Sequence, residues 1–240
     1  MKYIERYRVK WHDTDLNRRV TPSHVLAYMQ ETANHHLLSC GRSLDELRDE
    51  KALAFLLSRI YLRFYRPLFA DDEIEVSTWV CESRGLSFCR CFSIARDGET
   101  VAEASSTWAL MDLAEKKLLP ATAFPYDIEP DPALTGEFAS RVRFPALAQM
   151  EKIGERAIVY SDVDYNGHMN NTHYPNMLCD FTPEIATRRV AGMALSFVRE
   201  AALGQTLDVY RCAREGGGYS FRTLDAEGNT CLEASVWFED

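Results

Sequence analysis

One short segment of the chain gathers side chains that can carry out acid–base chemistry. It runs Asp162-Val163-Asp164-Tyr165-Asn166-Gly167-His168-Met169-Asn170-Asn171. Histidine changes charge near neutral pH, so His168 is suited to moving protons. The segment therefore predicts a site built around proton transfer.

Two metal-binding interpretations of this loop compete with that prediction. The Asp-x-Asp-x-Asn spacing matches the start of a calcium EF-hand loop, but the twelfth position, which needs a glutamate, is His173. A zinc site would need His168 and His173 to fold around the ion from five residues apart. A purely structural interpretation makes Asp164 and Asn166 an Asx-turn and helix cap. We expect no metal and no cofactor, and structural roles for His24 and His173.

Composition limits the class of protein and its partners. The chain has 240 residues and a net charge of −9, which disfavours binding to nucleic-acid phosphates. Its longest apolar run, Ala52–Leu57, is far shorter than the ~18–20 residues that span a bilayer, and we see no secretion signal. The seven cysteines form no paired C-x-x-C motif, and Cys89-x-Cys91 on one strand face would chelate poorly. We expect reduced thiols and a cytoplasmic location.

The sequence contains an internal repeat. Three blocks recur in the same order: Asp13–Asn17 with Asp162–Asn166, Ala70–Val76 loosely with Leu203–Val209, and Gly98–Ser105 with Gly228–Ser235. The offsets between the copies are 149, 133 and 130 residues, so the second copy has shorter connections. Three ordered matches indicate duplication of a structural unit.

The two copies differ where a reactive residue would matter. The second copy has His168 where the first has Arg19, and Asn170-Asn171 where the first has Thr21-Pro22. Only the second loop therefore holds a side chain that transfers protons near neutral pH. We place the chemistry in the second copy.

A further difference lies at the end of an apolar strand. The segment Leu195–Glu200 ends in Arg199-Glu200, whereas the first copy has Arg66-Pro67. A glutamate in this position is seldom fully buried unless paired, and partial burial raises its affinity for a proton. We expect a partly buried Glu200 that acts as a base. The alternative is an ion pair with Arg199 or another cation at the surface.

Hydrophobic periodicity predicts the elements that hold these residues. Each copy should contain a strand, the Asp-rich loop, a helix and a run of antiparallel strands. The first helix begins at Thr21-Pro22 and carries Val25, Met29, Ala33 and Leu37, and the second begins at Asn170 or Asn171 and carries Tyr174, Met177, Leu178 and Phe181. The predicted class is α+β, each sheet burying one face on its helix. We expect domains at 1–125 and 144–240, joined by a proline-rich linker at 126–143.

The loop resembles the active-site loop of acyl–acyl carrier protein (acyl-ACP) thioesterases of plants and bacteria. Further similar segments are Tyr28–Glu31, His35-His36, Arg63–Pro67, Ser77–Trp79 and Ala104–Trp108. The resemblance implies two tandem hotdog folds, in which an antiparallel sheet wraps around a long central helix. It also implies catalytic Asp164, Asn166, His168 and Glu200, with Asn170 and Asn171 binding substrate.

The resemblance further implies hydrolysis of fatty acyl-ACP in fatty acid biosynthesis. Plant members carry a cysteine after the catalytic glutamate, where this chain has Ala201, so we expect water to be the nucleophile. Backbone N–H groups at the start of the helix after His168 would stabilise the oxyanion. The acyl chain would enter the first half, which is rich in apolar residues: Leu53–Leu57, Phe64, Phe69, Phe88 and Phe92.

The expected partner is acyl carrier protein bearing a 4'-phosphopantetheine-linked acyl chain, and a homodimer is left open. An acidic carrier needs a basic docking patch. The candidates are Arg59, Arg63, Arg66, Arg84, Arg90 and Arg96, with Lys116-Lys117 and Arg188-Arg189 as alternatives. Three other functions compete: an acyl-CoA thioesterase, a hotdog hydratase and a non-catalytic acyl-binding protein.

Overall fold

A computed structural model describes residues 2–125, 128–139 and 142–239. The first half contains β1 (Tyr3–Arg8), α1 (Pro22–Ser39), β2 (Leu53–Phe64), β3 (Glu73–Val80), β4 (Phe88–Arg96), β5 (Glu99–Asp112) and β6 (Lys117–Leu119). The second half contains β7 (Glu151–Ala157), α2 (Tyr174–Asp180), β8 (Val190–Phe197), β9 (Thr206–Ala213), β10 (Tyr219–Leu224) and β11 (Thr230–Phe238). Residues 126, 127, 140 and 141 of the predicted linker lie outside the described residues.

The strands form one antiparallel sheet in which the second half mirrors the first. The order is β1-β3-β4-β5-β2-β8-β11-β10-β9-β7, with β6 added beside β5. The halves meet where β2 pairs with β8, for example Ile60 opposite Leu195 and Leu62 opposite Met193. The α+β class and the tandem hotdog arrangement are confirmed.

The two helices differ in length, which corrects the expectation of a long helix in each half. Helix α1 has 18 residues and starts as predicted, with Thr21 Oγ1 accepting a hydrogen bond from the His24 amide and Pro22 in the first turn. Helix α2 has only 7 residues. It ends before Thr182-Pro183, because a proline disfavours helical backbone at the residue before it. None of the helices among the described residues is long and apolar enough to cross a membrane.

A single hydrophobic core runs through both halves. Leu26 and Met29 of α1 and Met177 and Leu178 of α2 pack with buried strand residues from each half in one continuous cluster. Helices and sheet bury their apolar faces on each other, as the hydrophobic pattern requires. The two copies therefore form one packed body rather than independently packed domains.

The junction between the halves depends on a close approach at Gly192 of β8. Gly192 lies opposite Arg63 of β2 and opposite Trp237 of β11. A Cβ atom at this position would collide with the Trp237 ring and lie 2.6 Å from the Leu62 carbonyl oxygen. The indole is 7% exposed and packs on Tyr61, 5.2 Å between ring centroids. Only glycine leaves room for this ring at the junction.

We expect Gly192→Ala to destabilise the protein by about 1–3 kcal/mol, because the extra methyl group overpacks the junction. Urea unfolding followed by tryptophan fluorescence measures the change. The matched control is Gly154→Ala in β7, whose added Cβ would meet only the edge of the half-buried Phe181 ring, at 2.9 Å. Equal stability of the Gly192 variant and the wild type would contradict the packing argument.

A buried polar group links α1 to the sheet. His36 is 6% exposed, stacks on the Tyr3 ring and accepts a hydrogen bond from Arg90 at 3.1 Å through Nδ1. The same Arg90 atom donates to Thr78 Oγ1. Burial, followed by the neighbouring Arg90 charge, lowers the pKa of His36 from 6.5 to about 4. The neutral imidazole of His36 therefore links α1 to the sheet.

We expect stability to fall as the pH drops from about 6.5 to about 4. In this window His36 becomes protonated in the unfolded chain but stays neutral in the folded chain. The free energy of unfolding therefore falls by at most about 3 kcal/mol. Urea unfolding across the window should show a flatter profile for His36→Gln. The control is His35→Gln, because hydrogen bonding to Glu5 raises the pKa of His35 and gives it the opposite pH dependence. An unchanged profile in His36→Gln would refute the assignment.

Candidate active site

The loop between β7 and α2 is folded as a tight turn. The Asp164 carboxylate accepts a hydrogen bond from the Asn166 amide at 2.8 Å, and the Gly167 amide donates to the Asp164 carbonyl at 2.9 Å. Gly167 has φ of 78°, in the left-handed region that glycine tolerates best. Asp164 thus makes the Asx-turn considered from the sequence. The side chains of Asn166 and His168 project from the residues immediately before and after Gly167.

A neighbouring loop brings Glu200 to His168. The Met169 amide donates to the Ala201 carbonyl at 2.8 Å, and the Leu203 amide donates to the Gly167 carbonyl at 3.2 Å. These bonds form a short antiparallel bridge between His168 and Ala202. His168 Nδ1 then lies 3.3 Å from Glu200 Oε2. The two residues that distinguish the second copy are therefore adjacent in space.

The expectation of a partly buried Glu200 is wrong. Its side chain is 58% exposed, because Val198, Arg199 and Glu200 follow the end of β8 into solvent. The alternative pairing with Arg199 is also not found, since Arg199 Nε lies 4.0 Å from Asp225. Glu200 pairs with His168 instead, whose side chain is 37% exposed.

The first half contributes a residue that the sequence analysis missed. Arg48, in the helical turn Glu46–Glu50 after α1, donates from Nη1 to Asn166 Oδ1 at 2.8 Å. Its guanidinium also lies 5.0 Å from the centroid of the Tyr165 ring. An arginine can only donate, so the atom facing it must be the Asn166 oxygen. The Asn166 Nδ2 group therefore faces away from Arg48, with two hydrogens to donate.

The two asparagines that follow have different surroundings. Asn170 accepts hydrogen bonds from both the amide and the hydroxyl of Thr172, each at 2.9 Å, and so caps the turn that leads into α2. Asn171 lies in the wall of a large cavity, together with His168 and Glu200. Asn171 is thus placed to contact a molecule that occupies the cavity. Asn170 serves as the predicted cap.

A cavity of about 720 Å³ extends from this site into the first half. Its apolar wall includes Leu37, Leu47, Leu53, Leu57, Phe55, Phe88 and Phe124. The rings of Phe55, Phe88 and Phe124 contact one another, with centroids 5.2–5.8 Å apart. The predicted segment Leu53–Leu57 and Phe88 line it. The other predicted aromatics do not: Phe92 is buried in the core, Phe64 lines a smaller cavity and Phe69 is 41% exposed.

The equivalent place in the first copy is closed. Arg19, the counterpart of His168, binds the Asp15 carboxylate at 3.2 Å. Asn17, the counterpart of Asn166, donates to the Ala186 carbonyl of the second half at 2.9 Å. The remaining cavity has a volume of about 120 Å³. The predicted placement of reactive groups in the second copy agrees with this geometry.

His24 has a structural environment, as expected. Its Nδ1 is 2.9 Å from Thr21 Oγ1 and its Nε2 is 3.5 Å from the buried Asp13 carboxylate. Burial lowers its pKa from the usual 6.5, against the opposing effect of the Asp13 charge. Asp13 also accepts a hydrogen bond from Tyr28 at 2.5 Å. This network fixes the start of α1.

Comparison with known proteins identifies relatives that match most of the chain. An oleoyl-acyl carrier protein thioesterase of Arabidopsis thaliana is 23% identical over 226 residues, 86% of this chain and 61% of that relative. An acyl-[acyl-carrier-protein] hydrolase of Cuphea viscosissima is 25% identical over 242 residues, 92% of this chain and 58% of that relative. Both are chloroplastic proteins. The chain spans about three-fifths of the length of these curated relatives.

Solved structures share the fold over nearly the full chain. An acyl-ACP thioesterase from Bacteroides thetaiotaomicron superposes with a TM-score of 0.89 at 22% identity, covering 99% of this chain and 98% of the other. A 12:0-ACP thioesterase from Umbellularia californica gives 0.84 at 18% identity, covering 99% and 97%. These matches show the same tandem hotdog architecture.

Two family models match the chain in succession. The model for the acyl-ACP thioesterase N-terminal domain matches residues 1–123, and the model for the C-terminal domain matches residues 148–239. These matches fall on the two copies of the internal repeat, and the second contains the loop with Asn166 and His168. Together they account for most of the sequence, and the chain belongs to the acyl-ACP thioesterase family.

Proposed function

We propose that this protein hydrolyses fatty acyl-ACP thioesters to free fatty acid and holo-ACP, in fatty acid biosynthesis. The observation that carries the proposal is the position of the His168–Glu200 pair in the wall of a 720 Å³ cavity with a largely aromatic and aliphatic interior. A thioester held beside the pair would place its acyl chain in the cavity. Acyl-ACP is the substrate of the relatives named above, which supports the same substrate here.

His168 and Glu200 supply the acid–base chemistry in this proposal. The Glu200 carboxylate accepts a hydrogen bond from Nδ1–H of His168, which leaves Nε2 free to take a proton. Water attacks the thioester carbonyl carbon while its proton passes to Nε2. The C–S bond then breaks, and the imidazolium returns the proton to the leaving pantetheine thiolate. Ala201 follows Glu200, so no cysteine nucleophile stands at that position.

Asn166 and Asp164 orient the reacting groups. Because Arg48 occupies the Asn166 oxygen, the Asn166 Nδ2 group is free to donate to the carbonyl oxygen as that atom becomes negative. Asp164 acts through the turn. Its carboxylate accepts a hydrogen bond from the backbone amide of Asn166 and so fixes the positions of the loop side chains. Asn171, in the cavity wall, is placed to contact the substrate near the thioester.

The two halves divide the work under this proposal. Residues 1–125 hold the acyl chain, residues 144–240 carry the reactive groups, and residues 126–143 link them. Both parts of the site belong to one chain, so a homodimer is not needed to complete it. All seven cysteines are free thiols among the described residues, in keeping with the reducing cytoplasm we propose.

We place carrier-protein docking at the cavity mouth. Five of the six arginines clustered in sequence are unsuited, because Arg63, Arg66, Arg84 and Arg96 each lie within 3.6 Å of a carboxylate oxygen and Arg90 donates to His36 and Thr78. Around the mouth, Tyr165, Val198 and Leu203 are 51–72% exposed apolar groups. Arg199, whose side chain is 57% exposed and lies 4.0 Å from Asp225, stands beside them. Apolar contact with the pantetheine arm and positive charge toward an acidic carrier suit this surface.

Glu200→Ala and His168→Ala should each lower kcat by about 10²–10⁴-fold, the usual contribution of a general acid–base group. The measurement is release of free thiol and fatty acid from acyl-ACPs of varied chain length, alongside acyl-CoAs with the same chains. The control is Glu82→Ala, since Glu82 lines the cavity but pairs with Arg84 on the surface.

Near-normal hydrolysis by folded Glu200→Ala would eliminate the proposed chemistry. Faster turnover of acyl-CoA than of matched acyl-ACP would show that the substrate is carried by coenzyme A and not by the carrier protein. Tight binding of fatty acid without thiol release would show an acyl-binding protein instead.

Arg48→Met should lower kcat by about 10- to 100-fold, equivalent to a charged hydrogen bond of about 1.5–3 kcal/mol, while KM changes little. The reason is that an unrestrained Asn166 amide no longer aims Nδ2 at the carbonyl oxygen. Lys51→Met, in the exposed residue that ends the same turn, serves as the control. An effect confined to KM would show that Arg48 contacts the carrier and does not orient Asn166.

A further inference from the structure

Three cysteines converge on the outer face of the first-half sheet. Cys89 and Cys91 lie in β4, and Cys81 follows β3 directly. Side chains alternate along a strand, so Cys89 and Cys91 share the face opposite Phe92, which points into the core. The Cys81 amide donates to the Cys89 carbonyl at 2.8 Å, and this pairing brings the third thiol beside the other two. The cluster is thus set by regular backbone pairing.

The sulfur positions resemble a metal-ligand set. The three Sγ atoms all lie within 4.8 Å of one another, and Cys81 Sγ is 3.4 Å from Cys91 Sγ. Zinc–sulfur bonds of about 2.3 Å place the sulfurs of a tetrahedral site about 3.8 Å apart. The trio would need only small side-chain movements to reach that spacing. Cys89-x-Cys91, a poor chelate by itself, becomes part of a three-thiol set through Cys81.

The surroundings provide what such a set requires. The Leu134 amide donates to Cys91 Sγ at 3.5 Å, a contact that favours the thiolate and orients the sulfur. The segment that carries Leu134 is held down where Trp79 Nε1 donates to the Pro132 carbonyl and the Asp131 amide to the Val80 carbonyl. Cys81 and Cys91 are almost fully enclosed, with exposures of 3% and 0%. Buried thiolates need a compensating positive charge.

A polar group that could serve as a further ligand lies beside the three thiols. Ser105 lies opposite Cys91 in β5, with its side chain on the same face. A hydroxyl or water oxygen can complete four-coordination around three thiolates.

We propose that Cys81, Cys89 and Cys91 form a binding site for a thiophilic d10 metal ion, with Zn²⁺ as the ion that fits the set. Binding exchanges thiol protons for the metal, releases those protons to solvent and involves no oxidation or reduction. The ion would fasten the end of β3 to β4 beneath the segment that carries Leu134. The proposal is independent of thioester hydrolysis, because no side chain of the His168–Glu200 pair takes part.

Metal binding to the full chain tests the proposal directly. The protein is reduced, stripped with a chelator and dialysed against Zn²⁺, and its metal content is determined by elemental analysis. We expect about one tightly held Zn²⁺ per chain and a higher Tm with the ion present. Co²⁺ used as a spectroscopic probe should give sulfur-to-cobalt charge-transfer absorption, which requires thiolate ligands.

Cys91→Ser and Cys89→Ser should each weaken Zn²⁺ binding by more than about 100-fold, because a ligand matters at least as much as its hydrogen-bond partners. Cys89→Ser at a half-buried position guards against misfolding of the Cys91 variant, and circular dichroism checks both. The control is Cys212→Ser, a half-buried thiol in β9 of the other half. Zn²⁺ content equal to that of Cys212→Ser, or no stoichiometric binding at micromolar Zn²⁺, would overturn the proposal. Hydrogen peroxide converting Cys81 and Cys91 to a disulfide in a chain that binds no metal would also overturn it.

Discussion

The antiparallel pairing of β2 with β8 is the constraint on which the rest of the molecule depends. It joins the two halves of the sheet edge to edge, so that neither half leaves this long strand edge unpaired. It also brings the end of β8, which leads to Glu200, beside the β2 wall of the large cavity. A site with reactive groups from one half and an apolar chamber from the other exists only because these strands pair. The requirement for Gly192 follows from the same close approach.

The pairing also creates two equivalent positions for a site, and side chains decide which one stays open. In each half the Asx-type turn faces the opposite half: Asn166 meets Arg48, and Asn17 meets the Ala186 carbonyl. In the first copy an arginine bound to Asp15 fills the position that His168 holds in the second. The two cavities differ about sixfold in volume. The two copies share one fold, and sequence divergence between them leaves a large cavity at only one of the two equivalent positions.

What the sequence predicted was local, and what it missed depends on distant pairing. The repeat, the helix start at Thr21-Pro22 and the turn around Asp164 all follow from neighbouring residues. Arg48 is separated from Asn166 by 118 residues, and no pattern in either segment announces their contact. Glu200 was expected to be partly buried because its strand is apolar, yet the strand ends three residues earlier. Pro183 was a signal for the early end of α2. The apolar residues at helical spacing, which run to Phe181, favoured a longer helix instead.

The exposure of the His168–Glu200 pair bears on how the proposed chemistry would be confined to the right substrate. At 37% and 58% exposure the two side chains are solvated, and solvent screens the interaction between them. An acyl chain that fills the cavity, with its pantetheine arm across Tyr165 and Val198, would displace this water. Displacement strengthens both the imidazole–carboxylate contact and the hydrogen bond from Asn166 to a developing oxyanion. Under the proposed function, a short acyl group would leave the cavity hydrated and the pair screened. Recognition of the acyl chain in the first half and proton transfer in the second would in this way be coupled through water.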